Sequence, residues 1–190
     1  MKATICVLVL LLFVATAVPQ TLSLGQGVFY SGEGAILIAV DAAVAIRKIK
    51  SPYVMFRAYM VAAGGESIVV DRADVVMVWG GIEYRMPVYK EFQKAYSARQ
   101  ADLDLYRNLG KESLALSPMR NFRFLGDSDF FPVFGQTTAL TNEGSMAGNT
   151  GFRTALYFKN PGFKKGDTIV IRVNDKKRPE LTGSVAVVLE

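Results

Sequence analysis

Histidine is absent from this chain, and its one cysteine, Cys6, lies in an apolar stretch at the N-terminus. Those two absences remove the side chain that titrates near neutral pH, the thiolate nucleophile, and the best ligands for zinc and copper. A chain free of cysteine beyond residue 6 also has no disulfide to brace it. At this length a hydrophobic core can hold the fold without one. Concentrated charge is lacking too. The net charge of +5 is mild and the basic residues are scattered, with one small cluster at Lys176, Lys177 and Arg178 beside Asp175 and Glu180. Nucleic-acid binders carry a basic stripe, so no nucleic-acid partner is expected.

What is present begins with an export layout. Met1 and Lys2 form a short basic start, an apolar run follows from Ala3 to Val14, and Ala15-Thr16-Ala17 offers small residues to a signal peptidase. This pattern predicts a signal peptide over residues 1–17, cleaved after Ala17, and a secreted or periplasmic protein. A retained anchor is the competing reading. The apolar stretch falls a little short of the roughly 20 residues a spanning helix needs, and no membrane span is expected after cleavage. Residues 18–190 then form a single domain with a leading arm over 18–34.

Along that domain the hydrophobic period is mostly two. Ile36, Ile38, Val40, Ala42, Val44 and Ile46 alternate, predicting one long strand, with a helix over 41–48 as the alternative. A second strand is predicted over 53–63, placing Val54, Phe56, Ala58 and Met60 toward the core and Tyr53, Arg57 and Tyr59 away from it. Gly80-Gly81, between two alternating runs, is a hairpin signal. Beyond Pro87 the period lengthens: Phe92, Tyr96, Arg99, Leu103, Tyr106 and Leu109 predict one amphipathic helix over 89–109. Residues 113–134 are irregular and rich in Phe. Their Phe122, Phe124, Phe130, Phe131 and Phe134 read as core more readily than as a binding platform, because Phe has no polar handle. Residues 135–151, rich in Gly, Thr, Asn and Ser, read as a flexible loop. Three strands close the chain, over 152–159, 168–173 and 184–189.

Short strands between Gly and Pro turns predict a mainly β domain of two packed sheets. The closing pattern, Gly166-Asp167 before the strand at Thr168 and a last strand at Ser184, resembles the end of an immunoglobulin-like or fibronectin-type sandwich. The resemblance covers about a third of the chain and lacks the inter-sheet disulfide of antibody domains. It implies an antiparallel β-sandwich with the helix over 89–109 as an insertion across one sheet edge or face.

Candidate sites are sparse. Gly126-Asp127-Ser128-Asp129 places two carboxylates two residues apart, and Asp127 and Asp129 are partial calcium ligands; no Glu closes the loop, and a simple turn accounts for the pattern. No other metal or cofactor is expected. Glycosidase chemistry needs two carboxyls across a cleft and no histidine, and Asp71, Asp74, Asp127, Asp129 and Glu143 fall in loops or at strand ends. No Ser-x-x-Lys and no phosphate-binding glycine loop occurs. The reading that follows is an exported, non-enzymatic domain that binds a protein or an envelope component, with contacts expected in the 135–151 loop and on the exposed side of the helix. Trp79, Glu143, Ser145, Met146 and Asn149 are the contact residues expected. The alternative is a carbohydrate-binding module or a carboxylate-based glycoside hydrolase.

Overall fold

Alternating β-branched and apolar residues produce a mainly β protein, 42% strand and 23% helix. The computed structural model describes residues 19–127, 129–132 and 140–190, with the backbone alone for 125–127. The expected leader with its cleavage after Ala17, Ser128, Phe134 and residues 135–139 lie outside the described residues.

The leading arm forms a hairpin of β1 (Leu22–Gly25) and β2 (Val28–Ser31). β3 (Ile36–Asp41) and β4 (Tyr53–Ala62) continue the meander, joined by helix α1 (Ala43–Arg47). Then come β5 (Ile68–Asp71), β6 (Val75–Trp79) and β7 (Ile82–Arg85). Three helices follow, α2 (Tyr89–Ala95), α3 (Arg99–Leu109) and α4 (Glu112–Leu116). The chain closes with β8 (Arg123–Asp127), β9 (Glu143–Met146), β10 (Thr150–Lys159), β11 (Thr168–Asn174) and β12 (Thr182–Val188).

These strands make a six-stranded sheet in the order β1-β2-β3-β4-β10-β8, a four-stranded sheet β12-β11-β6-β7, and a two-stranded ribbon β5-β9. All pairs are antiparallel except β8 with β10. One face of the large sheet, carrying Ile36, Ile38, Val40, Phe56, Ala58 and Met60, shares a core with Met77, Ile169, Ile171, Val185 and Val187 of the small sheet. The sheets approach so closely at one corner that a Cβ on Gly183 would collide with the backbone carbonyl of Ile36.

The opposite face of the large sheet is buried as well, under the helices. Ala39, Tyr59 and Val61 pack against Ala115 of α4 and Met119 beyond it. Tyr157 meets Phe92 of α2 at 4.7 Å between ring centroids, and Phe92 also meets Tyr53 at 5.0 Å and Phe131 at 4.8 Å. Phe130 and Phe131 are therefore core, as their chemistry predicts.

Two predicted elements are corrected. The long strand through Ile46 stops at Asp41, whose Oδ1 accepts the Ala43 N–H at 2.8 Å and turns the chain into α1. The single helix over 89–109 is two, because Tyr96 adopts extended backbone (φ −141°, ψ 108°). That break lets both Phe92 and Tyr96 reach the aromatic core, and the Tyr96 hydroxyl donates to Asp102 Oδ2 at 2.8 Å. The 140–151 part of the expected loop holds β9 and the first two residues of β10.

Candidate functional site

The predicted contact residues scatter over two regions. Trp79 ends β6 half-buried, edge-on to Phe163 at 5.3 Å, so much of its indole serves packing. On β9 the faces alternate: Glu143 and Ser145 are exposed, while Met146 is 1% exposed and belongs to the core, which removes it from the contact set. Asn149 is exposed, and its carbonyl accepts the Arg123 N–H at 2.8 Å. Glu143 stands opposite Asp71 in the β5-β9 register, with Lys176 reaching Asp71 at 3.4 Å. Burial, and then the neighbouring Asp71, push the Asp74 carboxyl above the usual range. Three of the expected carboxylates are thus brought near one another, with a lysine placed between two of them.

Next to Trp79, the turn Gly80-Gly81 takes positive φ at both residues (58° and 80°) and delivers β7 to the edge of the small sheet. The register runs Trp79↔Ile82, Val78↔Glu83, Met77↔Tyr84 and Val76↔Arg85. In a two-residue hairpin the pair flanking the turn exchanges hydrogen bonds and alternate pairs do not, so the backbone groups of Glu83 and Arg85 point outward. Among the described residues β7 pairs only with β6, and Ile82 and Val88 are 59% and 54% exposed. The other edge of that sheet is treated differently. The leading arm runs along β12, where Thr21 Oγ1 accepts the Ala186 N–H at 2.8 Å and Thr182 O accepts the Ala35 N–H at 2.9 Å.

A second place of interest lies under α3, where a cavity of about 170 Å³ opens on the helical face of the large sheet. Arg57, Arg153 and Arg107 line it with Tyr106, Glu112 and Asp129, and Leu103 supplies an apolar wall. Arg57 is 6% exposed, stands opposite Asp41 in the β3-β4 register, and lies over the Tyr106 ring at 5.7 Å from its centroid. Arg153 forms an ion pair with Glu112, and the hydroxyls of Tyr59 and Tyr106 are hydrogen-bonded to each other. Burial pushes both phenols up, so they stay protonated in the physiological range. Burial also raises the Asp41 carboxyl, against the pull of the Ala43 N–H and of Lys111. The two carboxyls held high by burial, Asp41 and Asp74, do not line this cavity.

Asp129, one of the two expected calcium ligands, lines the same cavity as Arg57, Arg107 and Arg153, and positive side chains so placed disfavour a divalent cation. Asp127 is the last residue of β8, and its side chain lies outside the described residues. Among the described residues no group of three or more acid, histidine or cysteine side chains is placed to hold a metal ion. Sequence reading had put Arg57 and Tyr59 on the outward face of their strand but did not mark Arg57, Tyr106, Glu112 or Arg153 as a group. The available signal was charge inside two otherwise apolar strands, at Arg57 and Arg153.

Fold and site together define a class: a mainly β domain in which two sheets share one core and a helical layer covers the outer face of the larger. No family model, curated protein or solved structure matches the chain. Among the described residues no helix is long and apolar enough to cross a membrane.

Proposed function

We propose that this chain is an exported, non-enzymatic β-sandwich domain that binds a protein of the cell envelope, and that β7 is the contact strand. The observation that carries the reading is the asymmetry of the small sheet: the leading arm occupies one edge, while the other is exposed and bears Ile82. An edge with outward backbone groups takes up an extended segment of a partner as one more strand. Backbone hydrogen bonds then supply affinity, and side chains such as Ile82 supply selectivity. The sandwich reading is supported by the core shared between the sheets; the immunoglobulin-like version rests on the closing β11-β12 pair, since β1 to β4 run as a sequential meander. Export is supported by the leader pattern of residues 1–17.

The test is Ile82→Lys. Because Ile82 is exposed on an edge strand, this change leaves stability within about 0.5 kcal/mol. It lowers association with the native envelope fraction at least about tenfold, near 1.4 kcal/mol. Unchanged association at unchanged stability overturns β7 as the contact. A carboxylate hydrolase is the second reading, favoured by Glu112 and Asp129 sharing one cavity.

A further inference from the structure

We infer that the strand added to β7 is the β7 of a second copy of this chain, paired antiparallel about a two-fold axis at Tyr84. This names the partner at the edge already described and rests on the reading of β7 as the contact strand.

Outward backbone groups decide which registers are open. Along β7 they belong to Glu83 and Arg85, because Ile82 and Tyr84 turn theirs toward β6. Gly81 sits in the turn at φ 80° and Pro87 has no N–H, so neither lengthens the row of donors. A two-fold interface brings one patch against itself, residue i meeting j and j meeting i. With Tyr84 on the axis, Glu83 meets Arg85 of the second copy, and both symmetry-related pairs exchange their two backbone hydrogen bonds. Moving the axis to Glu83 sets Arg85 against the turn residue Gly81. Moving it to Arg85 sets Glu83 against Pro87. A slip of one residue sets an outward group against an inward one, so the Tyr84 register alone uses every outward group of β7.

Side chains select the same register. Opposite charges face each other in both pairs when Tyr84 lies on the axis, whereas the shifted registers set Glu83 against Glu83 or Arg85 against Arg85, which repel. Neither side chain has to give up a contact: Glu83 forms an ion pair with Arg172, and Arg85 donates to the Ala73 carbonyl at 3.0 Å. Backbone hydrogen bonds carry the affinity, and charge excludes the wrong registers. On the other face of the strand Tyr84 meets its own copy, and Ile82, 59% exposed, meets Met86, which packs half-buried against the core. Pairing therefore covers Ile82 and continues the sheet β12-β11-β6-β7 in reverse order through the second copy.

Sedimentation velocity on the exported protein, over a range of concentrations, tests this with two charge reversals. The native chain forms a reversible dimer. Glu83→Lys and Arg85→Glu each set like charges against one another in both pairs, and each weakens dimerisation at least about tenfold. Both residues are exposed, so neither change disturbs the fold. Mixing the two variants restores the dimer, because the mixed pair puts opposite charges back at both positions. A native chain that stays monomeric, dimerisation undiminished in either variant, or no recovery on mixing overturns the inference. A monomer that still loses its envelope association on Ile82→Lys rules out the second copy and keeps β7 as the contact strand. Failure of the strand reading itself shows instead as unchanged envelope association in Ile82→Lys.

Discussion

Asp175 shows how one carboxylate organises a segment of this chain. It is 4% exposed, and its oxygens accept the Val69 N–H at 2.8 Å, the Arg178 N–H at 3.0 Å and Arg178 Nε at 3.3 Å. Burial works to raise its pKa, but these donors together hold the carboxyl below its usual value. A carboxyl lowered in the folded state contributes stability above the ordinary carboxylate range and loses it as pH falls through the folded value. Asp175→Ala should therefore cost about 1–3 kcal/mol near neutral pH, the price of two orphaned backbone donors. Urea unfolding should show that difference narrowing as pH falls below the ordinary aspartate value. Asp41 has the opposite sign. Its raised carboxyl favours the folded state at acid pH, and that contribution fades as pH rises through its folded value.

At the scale of elements, the buried joint between α1 and α3 positions the helical layer. Lys48, just past α1, forms an ion pair with Asp102 of α3, and Tyr96 donates to the other carboxylate oxygen. Removing one partner of a fully buried pair costs about 3–5 kcal/mol. Lys48 is 31% exposed and can turn to water, so Asp102→Ala should cost less, about 1–3 kcal/mol. A double-mutant cycle with Lys48→Met, read by denaturant unfolding, should return a favourable coupling of at least about 0.5 kcal/mol, and additive single effects would deny the joint.

Elements also mark where sequence reading succeeds. The Gly80-Gly81 hairpin, β4, β10, β11 and β12 were legible because alternation and glycine turns are local signals. The end of β3 was not, since Ala42 to Ile46 fits either a strand face or a helix, and the Asp41 side chain decides between them. The helix break at Tyr96 carries no Pro or Gly; tertiary packing of two aromatic rings imposes it. Pairing of β5 with β9 and of β8 with β10 joins segments distant in sequence, which no local pattern records. The arginine-lined cavity was illegible for the same reason, since its walls come from β4, β10, α3 and α4.

On the scale of the whole molecule, the three-layer arrangement explains why residues on both faces of the large sheet are buried, including Tyr59, which the strand pattern placed away from the core. One face meets the second sheet, the other meets the helices, and the exposed polar residues gather on the helices, the β9 ribbon and the rims. The leading arm closes one edge of the small sheet and leaves the β7 edge exposed. On the proposed reading, that edge is where a partner segment adds as one more strand. The decisive measurement is site-specific photo-crosslinking in the native envelope, with the probe placed in turn at Ile82, at Gln100 on the exposed side of α3, and at Ser145 on β9. The account predicts a discrete protein adduct from Ile82 and none from the other two positions; an adduct from Gln100 or Ser145 with Ile82 silent would contradict it.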